Sequence, residues 1–254
     1  MKVDLNCDMG ESFGLYQLGN DEEMMALISS ANIACGFHAG DPHVMRRTVE
    51  LAKAHGVSIG SHPGFPDMLG FGRRYMTCTP EEIRDYVIYQ TGALREFARA
   101  YKLDLAHCKP HGALYMMAME DEKIARAILE GLAQISDSLI VYALNQSAVV
   151  EVGKQMGIPV ACEVFADREH TVNGSIVMTR SGSAISDYQA LAERAVRMVR
   201  EGKVRTPDGE DAVVRADTIC IHGDTPGAVE LTKAIHAAFR EAGITIGSVR
   251  DNWR

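Results

Sequence analysis

Short β-branched runs alternate with longer stretches of helical period from one end of this chain to the other, and no other feature restricts its fold as tightly. The runs are KVDLN, ANIAC, VSIGSH, LAHCK, LIVYAL, PVACEV and TICIH, and the helical stretches include 41–55, 80–101, 121–136, 186–201 and 226–240. A helix that returns the chain between two strands makes those strands parallel, so repeated units of this kind imply a parallel sheet with helices packed outside it. At 254 residues, 46% of them hydrophobic, the chain has the length of one such barrel. A single α/β domain, a parallel β/α barrel over residues 1–254, is expected.

Local signals agree with this reading. Asp41-Pro42 supply a cap and a first turn for the 41–55 helix, which ends before Gly56. Thr79-Pro80-Glu81-Glu82 open the next helix in the same way, with two acids at the positive end of its dipole. ITIGSV after Gly243 carries no reactive group and reads as a closing or edge strand. Two segments interrupt the rhythm. Residues 63–79, PGFPDMLGFGRRYMTCT, are too rich in Gly and Pro to be regular, and long irregular loops in such folds commonly serve function. Residues 203–217 hold Pro-Asp-Gly between short runs and read as a surface hairpin.

A formal charge of -8 without any Lys/Arg-rich run excludes the basic footprint that a nucleic-acid or anionic-membrane partner needs. No apolar run approaches the length of a bilayer span, and the opening residues lack a signal-peptide pattern, so a cytoplasmic location is expected. Six cysteines stand far apart with no C-x-x-C, which suits small buried side chains in a reducing compartment better than a zinc or redox motif.

The first strand poses the functional question. In VDLNCDMGE, Asp4, Asn6 and Asp8 alternate with Val3, Leu5 and Cys7, so an extended strand turns two carboxylates and an amide to one face. Placed in a barrel, these three face the interior while Val3, Leu5 and Cys7 pack beneath the helices. Buried carboxylates cost several kcal/mol each unless paired or hydrogen-bonded, and the partners in view are His38, His62, Lys109 and His111. Nearly every other strand also ends in a reactive group: His38, His62, Lys109 with His111, Asn145, Glu163 with Asp167 and Arg168, and His222 with Asp224. Parallel strands deliver their C-terminal ends to one mouth, where active sites of α/β barrels lie. His38, His62, His111 and His222 sit beside Gly or Pro in strand-end turns. His55, His107 and His236 lie within helical or mid-strand patterns and read as structural, and His43 as a cap-region residue.

VDLNCDMGESFG, NIACGFHAGDP, GSHPGFPD with GFGRR, KPHGALY, EVFADR and HGD together resemble the LamB/YcsF family, in that family's order and from the first strand to near residue 240. The departures are Ser61 before the His-Pro, His170 after ADR, and a missing Pro in NGSIVMTRS. The resemblance implies a distorted seven-stranded parallel β/α barrel of the glycoside hydrolase/deacetylase type. It also implies the catalytic A subunit of an ATP-dependent 5-oxoprolinase, which opens the lactam 5-oxo-L-proline to L-glutamate together with subunits B and C. Asp8, Glu11, His38, His62, Lys109 and His111 are the catalytic candidates. Asn6, Arg73, Arg74, Glu163, Arg168, His222 and Asp224 are candidates for substrate contacts, with Arg73 and Arg74 carried by a wall or lid formed from 63–75. ATP is the expected co-substrate, with Mg accompanying it, although no G-x-x-x-x-G-K-[ST] is present to place it. If a metal sits in the mouth itself, Asp8, His38 and His62 would hold it. Two other readings stand beside this one: a metal-dependent amidase or carbohydrate deacetylase, and a non-catalytic binding subunit of a larger enzyme.

Overall fold

The computed structural model describes residues 1–173, 175–176 and 187–252. Its strands are β1 (Lys2–Met9), β2 (Ser30–Ala34), β3 (Ser58–His62), β4 (Leu105–Cys108), β5 (Ile140–Leu144), β6 (Val160–Phe165), β7 (Lys203–Arg205), β8 (Asp211–Val213), β9 (Thr218–Cys220) and β10 (Thr245–Ile246). β1 through β6 follow one another in parallel, β9 pairs with β6, and β9 also pairs with β1. That last pairing closes a barrel of seven parallel strands. Its distortion shows in the three-residue β9 and in a register shift between Ile59 and Gly60 where β3 meets β4. The expected edge strand is β10, paired with β1 at Lys2 and Val3, and the expected hairpin is the antiparallel pair β7–β8.

The helices are α1 (Asp21–Met25), α2 (Pro42–His55), α3 (Pro80–Ala100), α4 (Gly112–Glu120), α5 (Glu122–Ala133), α6 (Ala148–Met156), α7 (Tyr188–Glu201), α8 (Ala228–Glu241) and α9 (Val249–Asn252). Asp41 caps α2 by accepting from the His43 and Val44 amides, and Thr79 with Glu82 forms a full capping box on α3. The helical stretch expected over 121–136 is shorter in the structure and is preceded by a separate helix, α4. GALYMMAM is apolar on nearly all sides and shows no stripe, because α4 is buried between the barrel and α5 and α6.

β1 behaves as its alternation predicts. Val3, Leu5, Cys7 and Met9 are buried in the main apolar core between strands and helices, together with Ala31, Ile33, Ile59 and Ile219 from neighbouring strands. The opposite faces of those strands line an interior that is mostly polar, where many barrels hold aliphatic layers. No described helix is long and apolar enough to cross a membrane. Of the NGSIVMTRS stretch, Asn173, Ser175 and Ile176 are described, whereas Gly174 and residues 177–181 lie outside the described residues.

Candidate active site at the barrel mouth

At the bottom of the interior, the Asp4 carboxylate accepts hydroxyl hydrogen bonds from Ser29 (2.6 Å), Ser30 (2.7 Å), Thr218 (2.5 Å) and Tyr142 (3.0 Å). The cations and imidazoles expected to partner the buried acids do not reach it. Every lone pair in use meets a neutral donor, and burial still pushes the Asp4 carboxyl above its ordinary range.

One layer up, Asn6 is the junction. Its amide nitrogen donates to Glu163 Oε1 (2.9 Å) and Thr218 Oγ1 (2.7 Å), and its carbonyl accepts from Asn32 Nδ2 (2.7 Å). Asn32 also donates to Asp8 Oδ1 (2.8 Å) and accepts from His107 Nε2 (2.7 Å). His107 lies parallel to Tyr142 with centroids 4.3 Å apart, and burial takes its pKa down to about 3. A Cβ at Gly60 would collide with the His107 ring, which explains a glycine inside a strand.

The third layer is ionic. Lys109 Nζ lies 3.0 Å from Asp8 Oδ1, 3.0 Å from Glu163 Oε1 and 3.1 Å from Cys220 Sγ, with the Phe165 ring 5.4 Å away. Tyr115 donates to the second oxygen of Glu163 at 2.8 Å. Burial opposes the Lys109 charge, but Asp8, Cys220 and Glu163 outweigh it and hold the ammonium well above the usual lysine range. Burial likewise opposes the Asp8 charge, and His62 and Lys109 overcome it, keeping the carboxyl well below the usual range. Asp8 is an ionised group at the mouth, suited to act as a base, to position water or to orient a histidine.

Above it stand three histidines and Glu11. His62 Nδ1 donates to the Lys109 carbonyl (2.7 Å), and His111 Nε2 donates to the Phe71 carbonyl (2.8 Å). Their other nitrogens face each other at 2.9 Å, with Asp8 Oδ2 3.4 Å from His62 Nε2. His38 stacks on His111 with centroids 3.6 Å apart and points Nε2 at Glu11 Oε1, 3.3 Å away. Burial pushes Glu11 up, reinforced by the charge of Asp8, and pushes His38 and His111 well down.

The irregular 63–75 segment forms the wall over these rings. Gly72, at φ +61°, packs so closely that a Cβ there would lie 2.7 Å from His38 Cβ and 2.8 Å from His111 Cδ2. Of the two arginines expected to reach substrate anions, Arg73 lies 5.1 Å over the Phe71 ring, and Arg74 is committed to an ion pair with Asp67. Asp67 also caps the Met68–Gly70 turn, so Arg74 braces the wall. On the opposite rim, His222 Nδ1 pairs with the buried Asp167 at 3.0 Å, Arg168 Nε lies 3.3 Å from the same nitrogen, and Asp224 is exposed. Asn145 stands apart from the reactive cluster and ties the chain at Arg215 through both backbone groups. His170 is buried, accepting from the Phe165 amide at 3.3 Å and contacting Arg194 at 3.0 Å.

Sequence reasoning did not single out Ser29, Ser30, Asn32, Tyr115, Tyr142, Thr218 or Cys220 as partners. Asn32 carried a signal: it is an amide in the otherwise apolar run ANIAC, at the β2 position opposite Asp8.

The fold and this interior define a class: parallel β/α barrels in which ionisable groups from most strands converge on one mouth. Within that class the chain belongs to the LamB/YcsF family, whose model matches residues 3–253. It is 52% identical over 252 residues to the 5-oxoprolinase A subunit of Pyrococcus abyssi, covering 99% of both chains. Over 247 residues it is 52% identical to the protein of the same name from Thermococcus onnurineus, covering 97% of each. Among solved structures, the lactam utilization protein of Thermus thermophilus superposes with a TM-score of 0.91 at 46% identity, covering 97% of this chain and 99% of that one.

Proposed function

We propose that this chain is the catalytic A subunit of an ATP-coupled 5-oxoprolinase, converting 5-oxo-L-proline to L-glutamate in complex with subunits B and C. The observation that carries the reading is whole-length identity of about half to proteins named as the A subunit of 5-oxoprolinase. The mouth supports it chemically. An unstrained lactam is a poor electrophile, so its carbonyl oxygen must be activated; phosphorylation by ATP, with Mg on the nucleotide, would do so. Water then adds to the carbonyl carbon and the ring C–N bond breaks as the nitrogen gains a proton, which leaves an acyl phosphate; a second water hydrolyses it to the glutamate carboxylate and free phosphate. Asp8, ionised beside Lys109 and within reach of His62, is suited to orient the attacking water and receive its proton. The proton that Asp8 receives is then available to the departing nitrogen. Lys109 stabilises negative charge developing beside Asp8 and Glu163. Arg73 and Arg168 at the rim supply cations for the substrate carboxylate.

The test is reconstitution. The purified chain alone should release negligible glutamate from 5-oxoproline, and addition of the two partner subunits with ATP and Mg should restore turnover. Robust ATP-coupled turnover by the lone chain would remove the need for partners. No turnover by the full assembly would remove the substrate assignment.

A further inference from the structure

The close approach of His62 Nε2 and His111 Nδ1 needs an explanation that hydrogen bonding among neutral rings does not provide. A carbonyl oxygen only accepts, so the contacts to the Lys109 and Phe71 carbonyls place the protons on His62 Nδ1 and His111 Nε2. In the neutral rings, the two nitrogens facing each other at 2.9 Å therefore both carry lone pairs. His38 stacks on the His111 ring with centroids 3.6 Å apart. Two lone pairs at that distance repel unless a proton or a metal ion lies between them.

Two further donors converge on the same point. Glu11 Oε1 is 3.7 Å from His111 Nδ1 and 3.3 Å from His38 Nε2, and one donor atom from each of Glu11, His38, His62 and His111 lies within 4.8 Å of all the others. Ligands held about 2.0–2.2 Å from one ion are about 3–4 Å apart, so modest side-chain adjustment closes this set on a single ion. Two of the three imidazoles already anchor the remote N–H on a main-chain carbonyl, the arrangement that fixes tautomer and ring direction in metal-ligating histidines. We infer that Glu11, His38, His62 and His111 form a binding site for one divalent first-row transition-metal ion of the zinc type, which three imidazoles and a carboxylate suit.

This set differs from Asp8, His38 and His62, the set suggested by the sequence. The donor atoms that all lie within 4.8 Å of one another are those of Glu11, His38, His62 and His111, whereas Asp8 is held at Oδ1 by Lys109 and Asn32 and only its Oδ2 approaches His62, at 3.4 Å. A second grouping, Asp8, Cys220 and His222, already has the Lys109 ammonium against Asp8 and Cys220, so a metal ion there would face a cation. Binding of the ion does not depend on the proposed reaction.

Its test uses binding and spectroscopy, so its outcome is separate from the turnover assay. Metal-stripped full-length chain is titrated with Zn²⁺ by calorimetry and with Co²⁺ by visible absorption, and Co²⁺-soaked crystals are measured for anomalous scattering. Expected are one ion per chain, a cobalt d–d band, and an anomalous peak among the four side chains. Glu11→Gln and His111→Gln should each weaken Zn²⁺ binding by about 100-fold or more, beyond the 10–100-fold typical of outer-shell partners. His222→Gln should bind as the parent does. Circular dichroism of the metal-free variants separates lost ligation from lost fold, and the crystal experiment needs no variant. A stripped chain that takes up no stoichiometric ion overturns the inference, as does an anomalous peak at Asp8, Cys220 and His222. Imidazole ¹⁵N shifts that do not respond to Zn²⁺ would assign the 2.9 Å contact to a shared proton and overturn it equally.

Discussion

Asp4 and Asp8 lie on the same face of one strand, both turned into the barrel, and are held in opposite ways. Asp4 is closed by four hydroxyl groups, all neutral and all supplied by side chains fixed in neighbouring elements. Asp8 is held by an ammonium and an amide, at the level where the remaining ring nitrogens of His62 and His111 face each other. The bottom of the barrel satisfies its polar atoms among themselves, while the mouth concentrates charge and donor atoms that still have capacity. The difference shows that polar residues inside a barrel mark a reactive site when they end in charges and open lone pairs, and act as framework when hydroxyls complete them.

The severest challenge to that contrast is removal of the cation that joins its upper half. Lys109→Met leaves Asp8 and Glu163 facing each other without compensation, and urea unfolding should show a loss of about 3–5 kcal/mol together with lost turnover. A loss below about 1 kcal/mol would mean the ionic layer is not held as a unit. Next in size, Asp8→Asn should keep the fold yet cut the ATP-coupled rate of the full assembly by about 100-fold or more. Near-normal turnover would move Asp8 to the framework side of the comparison. Asp4→Asn should give the reverse pattern, a stability loss of about 1–3 kcal/mol with the rate per folded molecule unchanged, because an amide nitrogen replaces an acceptor that two hydroxyls use. A rate defect at full stability would erase the distinction between bottom and mouth. The smallest effect belongs to Arg74→Ala, which should leave KM for 5-oxoproline unchanged while Arg73→Ala raises it; equal effects would return both arginines to the substrate.

The sequence made one side of this contrast much easier to read than the other. The alternation in VDLNCDMGE places Asp4, Asn6 and Asp8 inside and Val3, Leu5 and Cys7 outside, since a strand has a fixed period and one face of it had to be apolar. Strand-end histidines beside Gly and Pro were legible for a similar local reason. The hydroxyl partners of Asp4 were not, because Ser29, Ser30, Tyr142 and Thr218 acquire their meaning from the register of strands far apart in sequence. Nor was the engagement of Arg74 by Asp67, which depends on how an irregular loop folds back across seven residues. α4 escaped because a helix enclosed on all sides has no amphipathic stripe to betray it.

The anchoring of His62 and His111 on the Lys109 and Phe71 carbonyls has a consequence for how this mouth can be mapped. Those two acceptors are main-chain atoms, so a systematic alanine scan of the 63–75 wall and of Lys109 deletes neither of them. Such a scan would not reveal that the wall dictates which ring nitrogens are free to react. The informative perturbations are those that displace the chain itself: a β-branched residue at Gly72, where φ is +61° and a side chain would strike two histidines, or a peptide-to-ester replacement, which weakens one carbonyl as an acceptor. In this protein the tautomers of the reactive rings are written in backbone, and the side-chain alphabet alone does not spell them.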